Sequence, residues 1–382
     1  MSHNDVGAVG STTAHENLHS EQGAVRGELS GRHAQPIAKV ADLGWLEFEK
    51  PDLDAAEQFA HDFGLATVER TADALYLRGS RPGTFAAVIR KGPRSRFVGP
   101  VFKSADAGDL NRLARATGQQ PTSLNQPGGG VAVQLRDPNG MPVRVAHGVE
   151  ELPALPEQTP LSMNVGLSPT RINDTQRPPR EPAQVQRLGH VVLESRVFNR
   201  ALDWYLETLG LIVSDFLFLD GHRDRGPAMA FMRCDRGSEP ADHHTLAMFL
   251  GPGNGYVHSA YQVSDLDAMA AGGEYLRERG HHRAWGIGRH IQGSQLFDYW
   301  HDPDQLMVEH FSDGDLFDSS VETGWAPLSR AGLAQWGPPV TREFLGANPS
   351  PAKLRELVEA LREDNEISVA HLLTMAKAML RG

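Results

Sequence analysis

Cysteine is almost missing from this sequence: Cys234 stands alone among 382 residues. One thiol excludes an internal disulfide framework and any zinc site built from several cysteines. Apolar runs approaching 20 residues are absent as well, so no helical membrane span is expected. There is no basic excess either. Lys and Arg number 37 against 48 Asp and Glu, a formal net charge of −11, which speaks against nucleic acid or an anionic membrane as partner. The start, Met1–Gly31, lacks a basic-then-apolar signal pattern, so a cytoplasmic location is expected. Histidine, by contrast, is abundant. Its 17 copies raise the question of a metal site, since neutral imidazole is a common ligand.

The first 36 residues are polar and without apolar periodicity, and read as a mobile arm. From 37 to 150 the pattern is a strand over 40–48, a helix opened by Pro51-Asp52 and ended at Gly64, and short strands at 65–69, 74–78 and 85–90. A second set follows, with a strand at 97–102, a helix from Asp106, and a hairpin across Asp137-Pro138-Asn139-Gly140. Residues 151–186 hold seven prolines and read as a linker. The first pattern then restarts over 187–315. The remainder, 316–382, is an extension in which 351–380 reads as one terminal helix opened by Ser350-Pro351.

The restart can be laid on the first copy. LGWLEFEKPDLDAAEQFAHDFGL at 43–65 parallels LGHVVLESRVFNRALDWYLETLGL at 188–211, and VQLRDPNGMPVRV at 133–145 parallels DYWHDPDQLMVEH at 298–310. A duplication of this length predicts two similar α+β domains, each of two βαβββ modules. The copies differ where chemistry can live. His190 sits in a strand where the first copy has Trp45, and Glu309 where it has Arg144. His258 falls opposite Val98 or Gly99, with a one-residue ambiguity in the alignment. Two imidazoles and a carboxylate on separate strands of a half-open barrel can occupy one face of Fe(II), or Mn(II), and leave the other face for a chelating substrate and O2.

These residues carry a family resemblance. The second copy resembles the catalytic domain of type I extradiol ring-cleavage dioxygenases, in the vicinal-oxygen-chelate superfamily. The matching segments are LGHVVL, DHHTLAMF followed by YVHSAYQV, and GRHIQGSQLFDYWHDPDQLMVEHFSDGD. The first copy resembles the worn, metal-free domain of the same family. The resemblance implies two tandem vicinal-oxygen-chelate domains and an enzyme that opens a small aromatic diol with O2 in aromatic-compound catabolism, as a homo-oligomer. It assigns His190, His258 and Glu309 as metal ligands, and His244 as the active-site acid/base. Tyr299 matches the tyrosine that contacts the substrate oxygen, and His290 a histidine that bonds that oxygen or Tyr299. A hydroquinone-cleaving enzyme and a non-catalytic protein sequestering an aromatic ligand are the alternatives on the same fold.

Other candidates are set aside on physical grounds. His243 should point away from the site, because neighbours on a strand face opposite sides. His281, His282, His301 and His310 read as solvated or as complements to helix ends. The Asp302/Asp304 pair reads as a hairpin, and Gly251–Gly255 as a turn between strands. Cys234 has no base beside it and reads as inert.

Overall fold

Asp residues start three of the helices. Asp52 accepts the Asp54 and Ala55 N–H groups at the head of Leu53–Asp62. Asp106 and Asp109 form a reciprocal capping box before Ala107–Thr117, and Asp265 accepts from Ala268 before Leu266–Glu278. The fourth, Phe198–Leu209, follows Val197, which offers no side-chain cap. Glu366 of the C-terminal extension supplies one from a distance, accepting from the backbone N–H of Asn199 at 2.6 Å and of Arg200 at 3.1 Å. Gly210 ends this helix in the left-handed conformation, φ 66°.

The computed structural model describes residues 21–22, 28–329, 331–346, 351–361 and 365–380. Two curved mixed sheets carry the copies, and their strands connect in the same order. In the first, the order is 66–70, 74–78, 87–91, 40–50, 96–104, 142–147, 131–136, 122–123. In the second it is 211–219, 227–234, 246–250, 187–195, 255–262, 307–312, 296–301, 282–289, extended at one edge by 324–328 and 21–22. Within each copy the two modules join through antiparallel pairing of their first strands. The α+β tandem of βαβββ modules read from the sequence is the observed architecture. Among the described residues, no helix is long and apolar enough to cross a membrane.

The convex sides of both sheets meet in one shared core. Leu53, Phe59 and Phe63 of the first copy pack there with Phe198, Leu202 and Tyr205 of the second. The two DPxx turns stitch this interface in mirrored fashion. In each, the leading Asp accepts the N–H groups two and four residues on, so Asp137 holds Asn139 and Met141 while Asp302 holds Asp304 and Leu306. Lys50 reaches Asp302 and Asp304, and its counterpart Ser195 reaches Asn139. Asp302 and Asp304 are turn and interface groups, as the sequence suggests. The second copy keeps the side opposite this core for a site, while the first copy packs Trp45, Tyr76 and Phe85 there.

Three expectations need correction. The C-terminal extension holds two helices, Pro351–Ala360 and Val369–Leu380, and not one. Asn365 bonds the Ala360 carbonyl that the first helix leaves open, Ile367 is buried, and Ser368 accepts from His371 to begin the second. The described parts of the arm are docked: Gly31 accepts from Val213 N–H, Glu28 pairs with Arg223, and Glu21–Gln22 lie beside Trp325 and Gly324. Residues 1–20 and 23–27 lie outside the described residues. The four set-aside histidines are structural and each is tied to a partner, with His282 alone also exposed to solvent. His310 is fully buried and bonds the Phe63 carbonyl, His281 bonds Asp62, and His282 and His301 both meet Glu343 of the extension.

Candidate metal centre

The strands 187–195, 255–262 and 307–312 are neighbours in the second sheet, and their register sets the site. His190 pairs with Ala260, Ala260 with Glu309, and Val192 with His258. Side chains alternate across a sheet, so 190, 258 and 309 share the concave face. Their ligand atoms lie within 4.8 Å of one another. The Nε2 atoms of His190 and His258 are each 3.3 Å from Oε2 of Glu309.

The polar accounting of this trio is incomplete within the protein. Glu309 is 0% exposed, yet neither of its carboxylate oxygens has a hydrogen-bond partner, and nor does Nδ1 of His190 or His258. Burial alone would raise the Glu309 carboxyl, but the adjacent imidazoles outweigh it and hold the group far below the usual range. An ionised carboxylate buried without hydrogen bonds costs several kcal/mol. A divalent cation bound by these three groups would offset that cost. The donor set, two imidazoles and one carboxylate with no thiolate, fits Fe(II) or Mn(II).

His244 packs against His190 with the rings tilted and their centroids 4.0 Å apart, and Phe231 meets it edge-on at 5.0 Å. Burial first, and then the surrounding imidazoles, hold its pKa well below that of a free histidine, so it is neutral. On the opposite side the Tyr299 hydroxyl lies 2.8 Å from His290 Nε2. The other ring nitrogen, Nδ1, is 2.6 Å from the Leu333 carbonyl. A carbonyl only accepts, so Nδ1 carries the hydrogen; with burial keeping the ring neutral, Nε2 accepts from Tyr299 O–H. Burial, then the Glu309 charge, keeps the Tyr299 proton in place. All six residues expected at the site are gathered here.

Two contributions come from outside these six residues. The C-terminal extension closes one wall: Phe344 is 4.8 Å from the Tyr299 ring and 4.6 Å from Trp285, and Leu333 orients His290. Its sequence carries no pattern that marks this. His243, expected to point away, instead bonds His244, Nδ1 to Nδ1 at 3.0 Å. The alternation argument fails because His243 and His244 precede the Leu246–Leu250 strand and lie outside its ladder. Cys234 is buried beside Thr245 and its thiol pKa is raised by burial, in keeping with an inert role.

No protein-family model matches the chain. Metapyrocatechase 2 of Cupriavidus necator is 30% identical over 337 residues, covering 84% of this chain and 97% of that one. A manganese-dependent 2,3-dihydroxybiphenyl 1,2-dioxygenase of Geobacillus genomosp. 3 is 24% identical over 319 residues, covering 79% and 95%. The crystal structure of homoprotocatechuate 2,3-dioxygenase from Arthrobacter globiformis superposes with a TM-score of 0.65 at 20% identity, covering 84% of this chain and 97% of that one. Sequence similarity along nearly the whole length of the first relative, on a duplicated fold whose second copy gathers His190, His258 and Glu309, settles the family: this chain is a member of the type I extradiol ring-cleavage dioxygenases.

Proposed function

We propose that the protein opens a catecholic ring beside its hydroxyl pair, using both atoms of O2, at a metal held by His190, His258 and Glu309. The observation that carries this reading is the buried carboxylate of Glu309, unsatisfied by the protein and flanked by two imidazoles. Fe(II) is the metal we favour, with Mn(II) accepted by the same donors. Bound there, the metal would supply a shared coordination sphere and an electron path between diol and O2.

The chain's own residues handle protons, orientation and water. His244 is neutral, and can take the proton a catechol gives up on binding. Tyr299 can turn its O–H from His290 towards a substrate oxygen, donating to charge as it develops there. His290 keeps Tyr299 in reach because Leu333 fixes its ring. Phe231 on one side, and Trp285, Phe297 and Phe344 on the other, line the surroundings with carbon and keep water from competing.

The test uses protein purified without oxygen and reloaded with Fe(II), offered a panel of substituted catechols and hydroquinones. A yellow ring-fission product from a catechol is expected. No product from any catechol, together with unchanged metal content in His190→Ala, would overturn the reading. Family membership also supports a homo-oligomer, which light scattering will decide, and cell fractionation will decide the expected cytoplasmic location.

A further inference from the structure

His243 and Asp215 have no part in the reading above, yet both are buried and lead directly to His244. The Asp215 carboxylate Oδ2 lies 2.6 Å from His243 Nε2, and His243 Nδ1 lies 3.0 Å from His244 Nδ1. These three side chains form one line, from a buried anion to the ring packed against the metal ligand His190.

We propose that Asp215 and His243 are positioning residues that select the tautomer of His244 and lock its ring. The argument is one of donors and acceptors. A carboxylate accepts, so a neutral His243 ring carries its hydrogen on Nε2 and presents a bare Nδ1. That lone pair requires a hydrogen on His244 Nδ1, which leaves the lone pair of His244 Nε2 as its free acceptor. An imidazole mounted this way is ready to take a proton from a substrate hydroxyl. The other tautomer would present N–H and could not.

The surroundings hold His243 still. Its carbonyl accepts from Ser214 Oγ at 2.5 Å, and Ser214 Oγ accepts in turn from Arg233 at 2.9 Å. Its backbone N–H donates to the Asp315 carbonyl. Phe231 and Phe317 pack on the ring, with centroids 5.6 and 5.4 Å away. At Gly293 the ring approaches so closely that a Cβ there would stand 3.1 Å from Nδ1. A ring packed by two phenyl groups with both nitrogens engaged cannot flip without breaking the line.

The inference rests on the reading of His244 as proton acceptor, and the test separates the two. Full-length protein is compared with Asp215→Asn, His243→Phe and His243→Asn. The first lets an amide donate to Nε2 and reverse the line; the second removes both links while keeping ring volume; the third retains an acceptor near Nδ1. Metal content and thermal midpoint serve as controls for folding. We expect Asp215→Asn and His243→Phe to lower kcat by about 10- to 100-fold with KM for the catechol little changed, and His243→Asn to recover most of the loss. In parallel, histidine 15N NMR of the metal-free chain reports the tautomer of His244 whether or not a substrate has been found. A single Nδ1–H form in the native protein, lost in His243→Phe, supports the inference. A His244 spectrum indifferent to both Asp215→Asn and His243→Phe, or equal kcat in His243→Phe and His243→Asn, overturns it.

Discussion

The two copies in this chain share one strand order and differ in what their concave faces hold. Register makes the comparison residue by residue. Trp45 pairs with Val101 and Val101 with Arg144, as His190 pairs with Ala260 and Ala260 with Glu309. Glu47 pairs with Gly99 as Val192 pairs with His258, which resolves the alignment in favour of Gly99. Leu46 pairs with Ala87 as Val191 pairs with Leu246, so Phe85 stands where His244 does. Gln134, opposite Arg144, takes the place of Tyr299, opposite Glu309. The first copy packs Trp45, Tyr76 and Phe85 against the equivalent face, and turns Arg144 into an ion pair with Glu47 at 2.5 Å. One fold supports either a packed interior or a metal centre, according to what five or six inward positions carry.

This contrast can be broken first at the metal. Glu309→Ala should leave almost no Fe(II) on the chain by elemental analysis and cut ring opening by about 1000-fold or more. The reverse experiment sharpens it: Trp45→His with Arg144→Glu should create no second metal site. Gly99 would still offer no ligand, and a Cβ there would sit 1.9 Å from the Pro142 carbonyl oxygen. Metal counted per chain should stay at the native value.

A smaller effect is expected at the residue the first copy replaced by Gln134. Tyr299→Phe removes one donor while leaving the ligands intact, so kcat should fall by about 10- to 100-fold at unchanged metal content. Steady-state kinetics alongside metal analysis check both parts. Next comes the wall that only the second copy has. Phe344→Ala should raise KM for unsubstituted catechol about 3- to 10-fold and improve the relative rate on bulkier rings, read from a substrate panel.

The last test touches the filled copy alone. Trp45→Ala should leave kcat of the folded enzyme within about twofold of native, because the site lies in the other copy. It should nonetheless cost about 3–5 kcal/mol of stability for the cavity left behind, measured by urea unfolding. A large loss of kcat there would mean the first copy contributes to chemistry as well as to packing.

Much of the site was legible because duplication supplies an internal control. His190 against Trp45, and Glu309 against Arg144, stand out without any structure, and the closing segment around Tyr299 and Glu309 is continuous in sequence. His243 was misread for a definite reason: face alternation holds within a strand, and 243–245 sit just before one. The roles of Leu333, Phe344 and Glu366 were not legible at all. Each belongs to an extension without repeat or motif, and each acts on a partner more than 40 positions away.

The sequence alone determined the tandem fold and singled out His190, His258 and Glu309, because apolar periodicity, turn residues and the duplication are local or internally repeated signals; His244, Tyr299 and His290 came from the family resemblance. Tertiary structure decided what surrounds them: that the Leu333 carbonyl meets His290, that Asp215 stands behind His243, and that the extension closes over Tyr299. Those facts depend on distances between segments far apart in the chain. Directional bonds and close packing set such distances only once the whole has folded.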